Sequence, residues 1–200
     1  TAGLRMLGDE AATSILNTVR DHIKNDYDFQ LRKDSDVRIL DGNEEGKYAW
    51  IAVNTLLGQA GNVPAETYSA CDLGGGSVQC MFALPTASAN LRKGVKSKNP
   101  AGYVETVSSG GRNYDLYVHS FLGYGLLAAR MAVLKSSSSA AASCMPNGFN
   151  EQYSYGDATV DAAGSAASTF SSCRAAVKSA LKPDAPCEDS TLDDAECRID

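Results

Sequence analysis

The segment DLGGGSVQ contains three consecutive glycines, Gly74, Gly75 and Gly76, between two apolar stretches that read as β-strands. Glycine lets the main chain adopt positive φ, and it brings bare N–H groups close to a ligand because no Cβ intervenes. Such a turn suits the oxygens of a phosphate group. The alternative is an ordinary glycine-rich hairpin turn, which is common in antiparallel sheets.

Polar side chains frame this turn. Asp72 precedes the glycines and could bind a hydrated divalent cation, whereas Ser77 and Gln79 follow them and could orient a water molecule. Residues 77 and 79 are two apart on a predicted strand, so their side chains face the same side. A cation, a phosphate-binding turn and a positioned water are three parts of a site that hydrolyses phosphates.

A general base is expected in the segment DGNEEG, residues 41–46. Glu45 lies in the predicted turn between a strand and a helix, where it could face a cleft and take a proton from the attacking water. The adjacent Glu44 is better explained by the favourable interaction of a carboxylate with a helix N-terminus.

The surrounding pattern predicts the elements that position these residues. Apolar spacing predicts helices at 8–26, 47–59, 123–135 and 168–182, a strand at 37–40, and hairpins at 67–84 and 102–121. The low-complexity stretch 136–143 is predicted to be a loop, and the connector 60–66 is the candidate domain boundary. Strands and helices recur in both halves, so the class is α/β or α+β with mixed sheets.

Two of these helices carry a recognisable packing face. The first has an apolar stripe formed by Ala12, Ile15, Val19, His22 and Ile23. We interpret His22 as a structural residue at the edge of that stripe. Trp50 falls on the buried face of the second helix, where it is expected to support the segment carrying Glu45 and not to stack on a nucleobase.

Composition limits the classes of partner. The 200 residues are 44% hydrophobic and carry a net charge of −6, with basic residues scattered singly, so no stripe for nucleic acid or an anionic membrane is present in the sequence. No apolar run reaches the roughly 18 residues of a membrane span, and no membrane anchor is visible in this piece.

The six cysteines divide into two sets. Four lie in the polar C-terminal third, where disulfides are favoured over a zinc cage because the sequence has no CxxC pair and its two histidines are isolated. Disulfides indicate a secreted protein, or one that faces the lumenal or extracellular side of the secretory pathway. Cys71 and Cys80 are symmetric about the glycine turn and are expected to lie opposite each other, with buried free thiols favoured over a strained disulfide.

Four segments together resemble a known family. They are TAGLR at 1–5, ILDGNEEGKYAWIAVNTLLG at 39–58, DLGGGSVQ at 72–79 and HSFLGYGLLAAR at 119–130. They are similar to the second, third and fourth apyrase conserved regions, with a second-lobe motif, of the GDA1/CD39 nucleoside triphosphate diphosphohydrolases. The spacing EG-x-x-x-W-x-x-x-N is the specific part of this match, whereas the glycine turn alone is not.

The resemblance implies a two-lobed actin/hsp70-like (ribonuclease H-like) α/β fold that is incomplete in this chain. Residues 1–64 would form the C-terminal part of the first lobe, and residues 65–200 the truncated second lobe. The family implies hydrolysis of nucleoside tri- and diphosphates in the interlobe cleft, with Ca²⁺ or Mg²⁺ as cofactor. The first phosphate-binding loop and the fifth region of the family are not in this sequence, so the remainder of the chain is expected to complete the cleft.

The resemblance also implies residue roles. Glu45 matches the catalytic base, Ser77 and Gln79 match the residues that hold the nucleophilic water, and Asp72 matches a carboxylate that binds the metal through water. The phosphate-binding positions are matched by Thr1, Ala2, Gly3, Gly74, Gly75, Gly76 and Ser77. Similarity to plant-type members suggests the disulfides Cys144–Cys173 and Cys187–Cys197.

Two departures and two alternatives qualify this reading. Val78 replaces the usual Thr of the fourth region, and Asn147 stands where some members have Arg, so nucleobase preference does not transfer.

One alternative is an exopolyphosphatase or guanosine pentaphosphate phosphatase, against which the cysteines and Trp50 argue. The other is a non-catalytic relative that binds nucleotide or glycan, against which Glu45, Ser77 and Gln79 argue.

Overall fold

The computed structural model describes residues 2–85 and 103–182. Its α-helices are α1 (Ala2–Arg5), α2 (Asp9–Asp26), α3 (Gly42–Leu56), α4 (Leu126–Ser136), α5 (Ser138–Cys144) and α6 (Phe170–Leu181). Its strands are β1 (Ala70–Leu73), β2 (Ser77–Ala83), β3 (Val104–Ser109), β4 (Arg112–Leu122), β5 (Asn150–Tyr155) and β6 (Ala158–Ala163). Two short 3₁₀ turns occupy Asp34–Asp36 and Pro64–Glu66.

The strands form two antiparallel sheets. The larger has the order β1-β2-β4-β3, and the smaller is the β5–β6 hairpin. Helices and strands are mixed along the chain, so the α/β class is confirmed, but the described sheets are antiparallel where mixed sheets were expected. Both predicted hairpins are present, and the second turns at Gly110 and Gly111, where both glycines have positive φ.

Helix α3 packs on one face of the larger sheet, across the predicted boundary at 60–66. Trp50 is fully buried there, and its ring meets Tyr114 edge to face with 5.0 Å between ring centroids. The cluster is completed by Met81, Val107, Leu116 and Val118. Asn54, one helical turn beyond Trp50, exchanges hydrogen bonds with the backbone of Tyr68 and ties α3 to the chain entering β1. This core fixes the position of α3 relative to β2 and β4.

The start of α3 differs from the sequence-based prediction. The helix begins at Gly42 and not near Lys47, because the Asp41 side chain accepts hydrogen bonds from the N–H groups of Asn43 and Glu44 and caps it. Glu45 therefore lies in the first helical turn and not in a loop. Residues 37–40 form no strand, and this prediction was wrong.

Glu44 stabilises this helix start through Arg38. Arg38 donates two hydrogen bonds to the Glu44 carboxylate. These bonds, with a smaller contribution from hydrogen bonding to Asp41, lower the pKa of Glu44 from 4.5 to about 2. A carboxyl group whose pKa falls on folding stabilises the fold above its unfolded pKa and loses that contribution as the pH drops through the folded pKa. We expect Glu44→Gln to lower the unfolding temperature at pH 7, and we expect the difference to shrink as the pH falls toward 2 and to vanish only below the folded pKa. Thermal unfolding of both proteins across this pH range tests it, and an equal difference at both ends would contradict it.

A second cluster joins α4, α5, α6 and the β5–β6 hairpin. Its buried members are Leu134, Ala141 and Ala162. Residues 138–144 are helical and not the predicted loop, since the Ser137 side chain caps α5 by accepting from Ala140 N–H. Cys144 and Cys173 form a disulfide that links α5 to α6. The suggested pair Cys187–Cys197 lies outside the described residues.

Helix α2 forms as predicted, but its apolar stripe is not covered within the described residues. Ala12 is buried, whereas Ile15 and Val19 are each 39% exposed. Among the described residues, none of the helices combines the length and the apolar character that a membrane span requires.

The sheet face opposite α3 carries aromatic residues and two thiols. Its aromatic row is formed by Phe82, Tyr103, Tyr117, His119 and Phe121. Cys71 and Cys80 lie opposite each other, as expected, and both are free thiols. Cys71 is exposed and not buried, because β1 is the edge strand of the described sheet. Burial and the nearby Cys71 sulfur raise the pKa of Cys80 to about 11.

Candidate active site

The glycine turn is held against the start of α4 by its carbonyl groups. Gly74 O accepts from Leu126 N at 2.9 Å, and Gly75 O accepts from the next two amides of the helix at 2.8 and 3.0 Å. Gly76 O accepts from Gly123 N at 2.8 Å. These bonds satisfy amides at the beginning of α4 that have no partner within the helix. Within the described chain the N–H groups of Gly75 and Gly76 donate no hydrogen bond.

The glycines are needed for close approach and not for positive φ. None of the three has positive φ, contrary to the expectation from the sequence. A Cβ on Gly76 would lie 2.8 Å from Tyr155 Oη and 2.9 Å from Ala2 Cβ. A Cβ on Gly75 would lie 3.1 Å from Leu127 Cδ1. The turn is therefore packed between the N-terminal segment and α4.

Ser77 and Gln79 project from β2 toward α3, on the same side, as their spacing predicts. Both are buried, with 3% and 1% exposure. Gln79 Nε2 lies 2.8 Å from Ser77 Oγ, 3.0 Å from Ser120 Oγ and 3.2 Å from Glu45 Oε2. A carboxylate accepts hydrogen bonds, so this environment requires the amide nitrogen, and not the amide oxygen, to point at Glu45.

Glu45 reaches this pair from the first turn of α3. Its Oε2 accepts from Arg5 Nη2 at 2.8 Å, and the side chains of Arg5 and Glu45 are 15% and 33% exposed. Arg5 also approaches Ser77 Oγ and Ser120 Oγ, each at 3.4 Å. Glu45 thus lies within one hydrogen bond of the residues at the glycine turn, and it is not sequestered in the core.

These groups line one cleft of about 310 Å³. Its walls are formed by Ala2, Gly3, Glu45, Asp72, Gly74, Gly75, Gly76, Ser77, Gln79, Leu127 and Tyr155. Every site residue predicted from the sequence contributes to this list except Thr1, which lies outside the described residues. The volume is at the lower end of the range of small-molecule sites, about 300–1,000 Å³.

Sequence reasoning assigned no role to Arg5, Ser120, Leu127 or Tyr155. Ser120 had a detectable signal: it follows Leu116 and Val118 at the alternating positions of β4 that face the core, so a polar residue there needs a partner. Arg5 lies 115 residues from Ser120, and no local spacing connects them. Tyr155 also lies far along the chain from the other residues of the cleft, so no local spacing predicts its position.

The donor set suits a hydrated cation and not a closed metal cage. Asp72 is exposed at the cleft and pairs with Gln79 in the β1–β2 register. No cluster of three potential metal-binding side chains occurs among the described residues. One carboxylate with water and substrate oxygens is the arrangement that Mg²⁺ commonly uses with phosphates, and Ca²⁺ also takes oxygen ligands.

A glycine turn, a buried Ser–Gln pair and a carboxylate that line one cleft are an arrangement suited to binding a phosphate group. The model of the GDA1/CD39 (nucleoside phosphatase) family matches residues 1–198. The chain belongs to this family, and the resemblance seen in its motifs is confirmed.

Curated relatives agree with this assignment. The chain is 41% identical over 189 residues to "Probable apyrase 2" of Oryza sativa subsp. japonica, covering 94% of this chain and 40% of the relative. It is 39% identical over 189 residues to "Nucleoside-triphosphatase" of Pisum sativum, covering 94% and 41%. It is 44% identical over 135 residues to "Guanosine-diphosphatase" of Saccharomyces cerevisiae, covering 66% and 25%. The chain therefore spans about two fifths of the length of the plant relatives.

Proposed function

We propose that the full-length protein is an apyrase, which hydrolyses the terminal phosphates of nucleoside tri- and diphosphates with a water activated by Glu45. The observation that carries this proposal is the contact of Glu45 Oε2 with Gln79 Nε2, at 3.2 Å, beside the glycine turn. The printed names of the relatives, apyrase and nucleoside-triphosphatase, support the same chemistry.

The hydrogen bonds around Glu45 leave three groups free to bind a nucleophilic water molecule. Arg5 and Gln79 both use Oε2, so Oε1 of Glu45 has no hydrogen bond within the described chain. The hydroxyl hydrogen of Ser77 and Oε1 of Gln79 are likewise not used by the described residues. A water that accepts from Ser77 and donates to Glu45 and Gln79 keeps one lone pair for attack at phosphorus.

The phosphate is bound on the other side of this water. The free N–H groups of Gly75 and Gly76 bind its oxygens and stabilise the charge that develops during attack. Ala2, Gly3 and Thr1 line the same pocket in this proposal, with Ser77 at its base. Glu45 takes the proton, and no phosphoenzyme is formed.

A divalent cation completes the site in this family, which is generally dependent on one. We infer Ca²⁺ or Mg²⁺, held by Asp72 through water, because the cleft offers oxygen donors. When bound, the ion neutralises phosphate charge. Arg5, by pairing with Glu45, orients the carboxylate toward Gln79 and the glycine turn.

The two-lobed organisation is also part of the proposal. We infer that the larger protein has the actin/hsp70-like arrangement, with 1–64 in the first lobe and 65–200 in the second, and that the remainder of the chain supplies the opposite wall of the cleft. The Cys144–Cys173 disulfide supports a secreted or lumenal enzyme.

The proposal is tested with the full-length protein supplied with ATP, ADP and long-chain polyphosphate. We expect phosphate release from both nucleotides, loss of release in EDTA, and recovery on adding Ca²⁺ or Mg²⁺. Asp72→Asn is expected to raise the cation concentration needed for half-maximal rate by about tenfold. Release from polyphosphate alone would favour an exopolyphosphatase, and nucleotide binding without release would favour a non-catalytic relative.

A further inference from the structure

The face of the glycine hairpin that points away from the cleft carries a pair of neighbouring thiols. Cys71 on β1 lies directly opposite Cys80 on β2. Their Sγ atoms are 3.1 Å apart, and neither forms a disulfide within the described residues. The proposed hydrolytic mechanism uses neither thiol, so their juxtaposition is unexplained by that activity.

The position of this pair in the ladder suits a covalent bond. Gly74 N–H donates to Ser77 O at 3.0 Å, which makes residues 74 and 77 a hydrogen-bonded pair. Hydrogen-bonded and non-hydrogen-bonded pairs alternate along an antiparallel ladder, so Cys71 and Cys80, three positions further, form a non-hydrogen-bonded pair. Such pairs have Cα atoms about 4.5 Å apart, inside the range of about 4.4–6.8 Å found in disulfides.

We propose that Cys71 and Cys80 are a redox-active dithiol that closes to a reversible cross-strand disulfide by exchange with a small disulfide such as oxidised glutathione. The exposed Cys71 thiolate attacks one glutathione sulfur, forms a mixed disulfide and releases one glutathione thiolate. Cys80 then attacks the Cys71 sulfur and releases the second. Two protein thiols are oxidised, one glutathione disulfide is reduced, and the two protons end on the two glutathione thiols.

The bond would join the strands directly behind the cleft. Asp72 and Gln79 are the next pair along the ladder and face the cleft side. β1 is four residues long and lies at the edge of the described sheet, so β2 is its only sheet neighbour there. Closing the disulfide therefore fixes the strand that carries Asp72, and opening it releases a constraint at the base of the glycine turn. Because Cys71 is exposed, a thiol from solution can reach the bond and reopen it by exchange.

Peptide mapping of the full-length protein tests this inference independently of hydrolysis. The tryptic peptide 48–92 contains these two cysteines and no other. After equilibration in buffers of increasing oxidised glutathione, acid quench and alkylation, we expect this peptide to lose two hydrogens and to escape alkylation. Returning the sample to reduced glutathione should restore two alkylated thiols, while Cys144–Cys173 serves as the internal disulfide reference.

Two single variants separate the roles. In Cys80→Ser, Cys71 has no resolving partner and is expected to accumulate as the glutathione mixed disulfide. In Cys71→Ser, the half-buried Cys80 is expected to remain largely free under the same conditions. Full alkylation of both cysteines in the wild-type protein at every ratio would overturn the proposal, as would a wild-type mixed disulfide as abundant as in Cys80→Ser.

Discussion

Glu45→Gln in the full-length protein should lower kcat by a factor of roughly 10² to 10⁴ and leave the dissociation constant of the nucleotide nearly unchanged. The amide is close to the carboxylate in size and still accepts from Arg5 and Gln79 through its oxygen. It cannot take a proton from water at neutral pH. The loss therefore falls on the chemical step and not on binding, which single-turnover rates and equilibrium binding measure separately.

Glu44→Gln is the matched control for this variant. Glu44 is the neighbouring residue on α3, but its carboxylate pairs with Arg38 and is not part of the cleft wall. Turnover per folded molecule should stay near that of the wild type. Near-normal turnover in Glu45→Gln would remove Glu45 from the role of base, whereas an equal loss in both variants would point to damage at the helix start.

Elements with strong periodicity could be predicted from the sequence. The alternation in both hairpins and the apolar spacing of α2, α4 and α6 place these elements correctly, because each is specified by local patterning. Two failures are at capped ends. Asp41 and Ser137 each cap a helix where the composition suggests a loop, since one or two hydrogen bonds to the capping side chain outweigh a glycine- or serine-rich local sequence.

Residues 37–40 illustrate a different limit. The segment VRIL has the composition of a strand, yet a strand forms only when another strand offers backbone partners. The described residues offer this segment none, and the Val37 carbonyl instead accepts from Arg20 at 2.7 Å. Propensity alone therefore predicts a strand that its surroundings do not support.

The residues of the candidate site also divide into those that local spacing predicts and those that it does not. The spacing of Ser77 and Gln79 on one strand places both on one face without further information. The packing of α3 on the sheet depends on close approach at Gly46, where a Cβ would lie 2.8 Å from Val118 Cγ2 on β4 and 3.0 Å from Met81 Cε on β2. The role of Glu45 could be predicted from the family resemblance, and the polar Ser120 is marked by the alternation of β4. Arg5 has no signal in the local sequence, because its partners lie far along the chain.

The close approach of α4 to the glycine turn leads to the second large expected effect. Gly125 precedes α4 with φ of −64°, a conformation that alanine adopts freely. A Cβ at this position would nevertheless lie 2.4 Å from Ser77 N and 2.5 Å from Gly76 N. These are backbone atoms of the glycine turn, so no side-chain rotation relieves the overlap.

Gly125→Ala is therefore expected to displace the turn by about 1 Å and to lower kcat/KM by about 10², because a misplacement of this size has that effect on catalysis. Overpacking should also reduce stability, by about 1–3 kcal/mol. Leu126→Ala is the control, since its side chain is 54% exposed and its N–H bond to Gly74 O is a backbone contact that survives.

Gly75→Ala separates displacement of the turn from simple loss of folding. Its added Cβ would meet Leu127 Cδ1 at 3.1 Å, and this flexible side chain can move away. We therefore expect Leu126→Ala to be the most active of the three variants, Gly75→Ala to be less active and Gly125→Ala to be the least active. Circular dichroism and thermal unfolding report the folded fraction of each. A folded Gly125→Ala protein with wild-type kcat/KM would show that the contact between the glycine turn and α4 does not control catalysis.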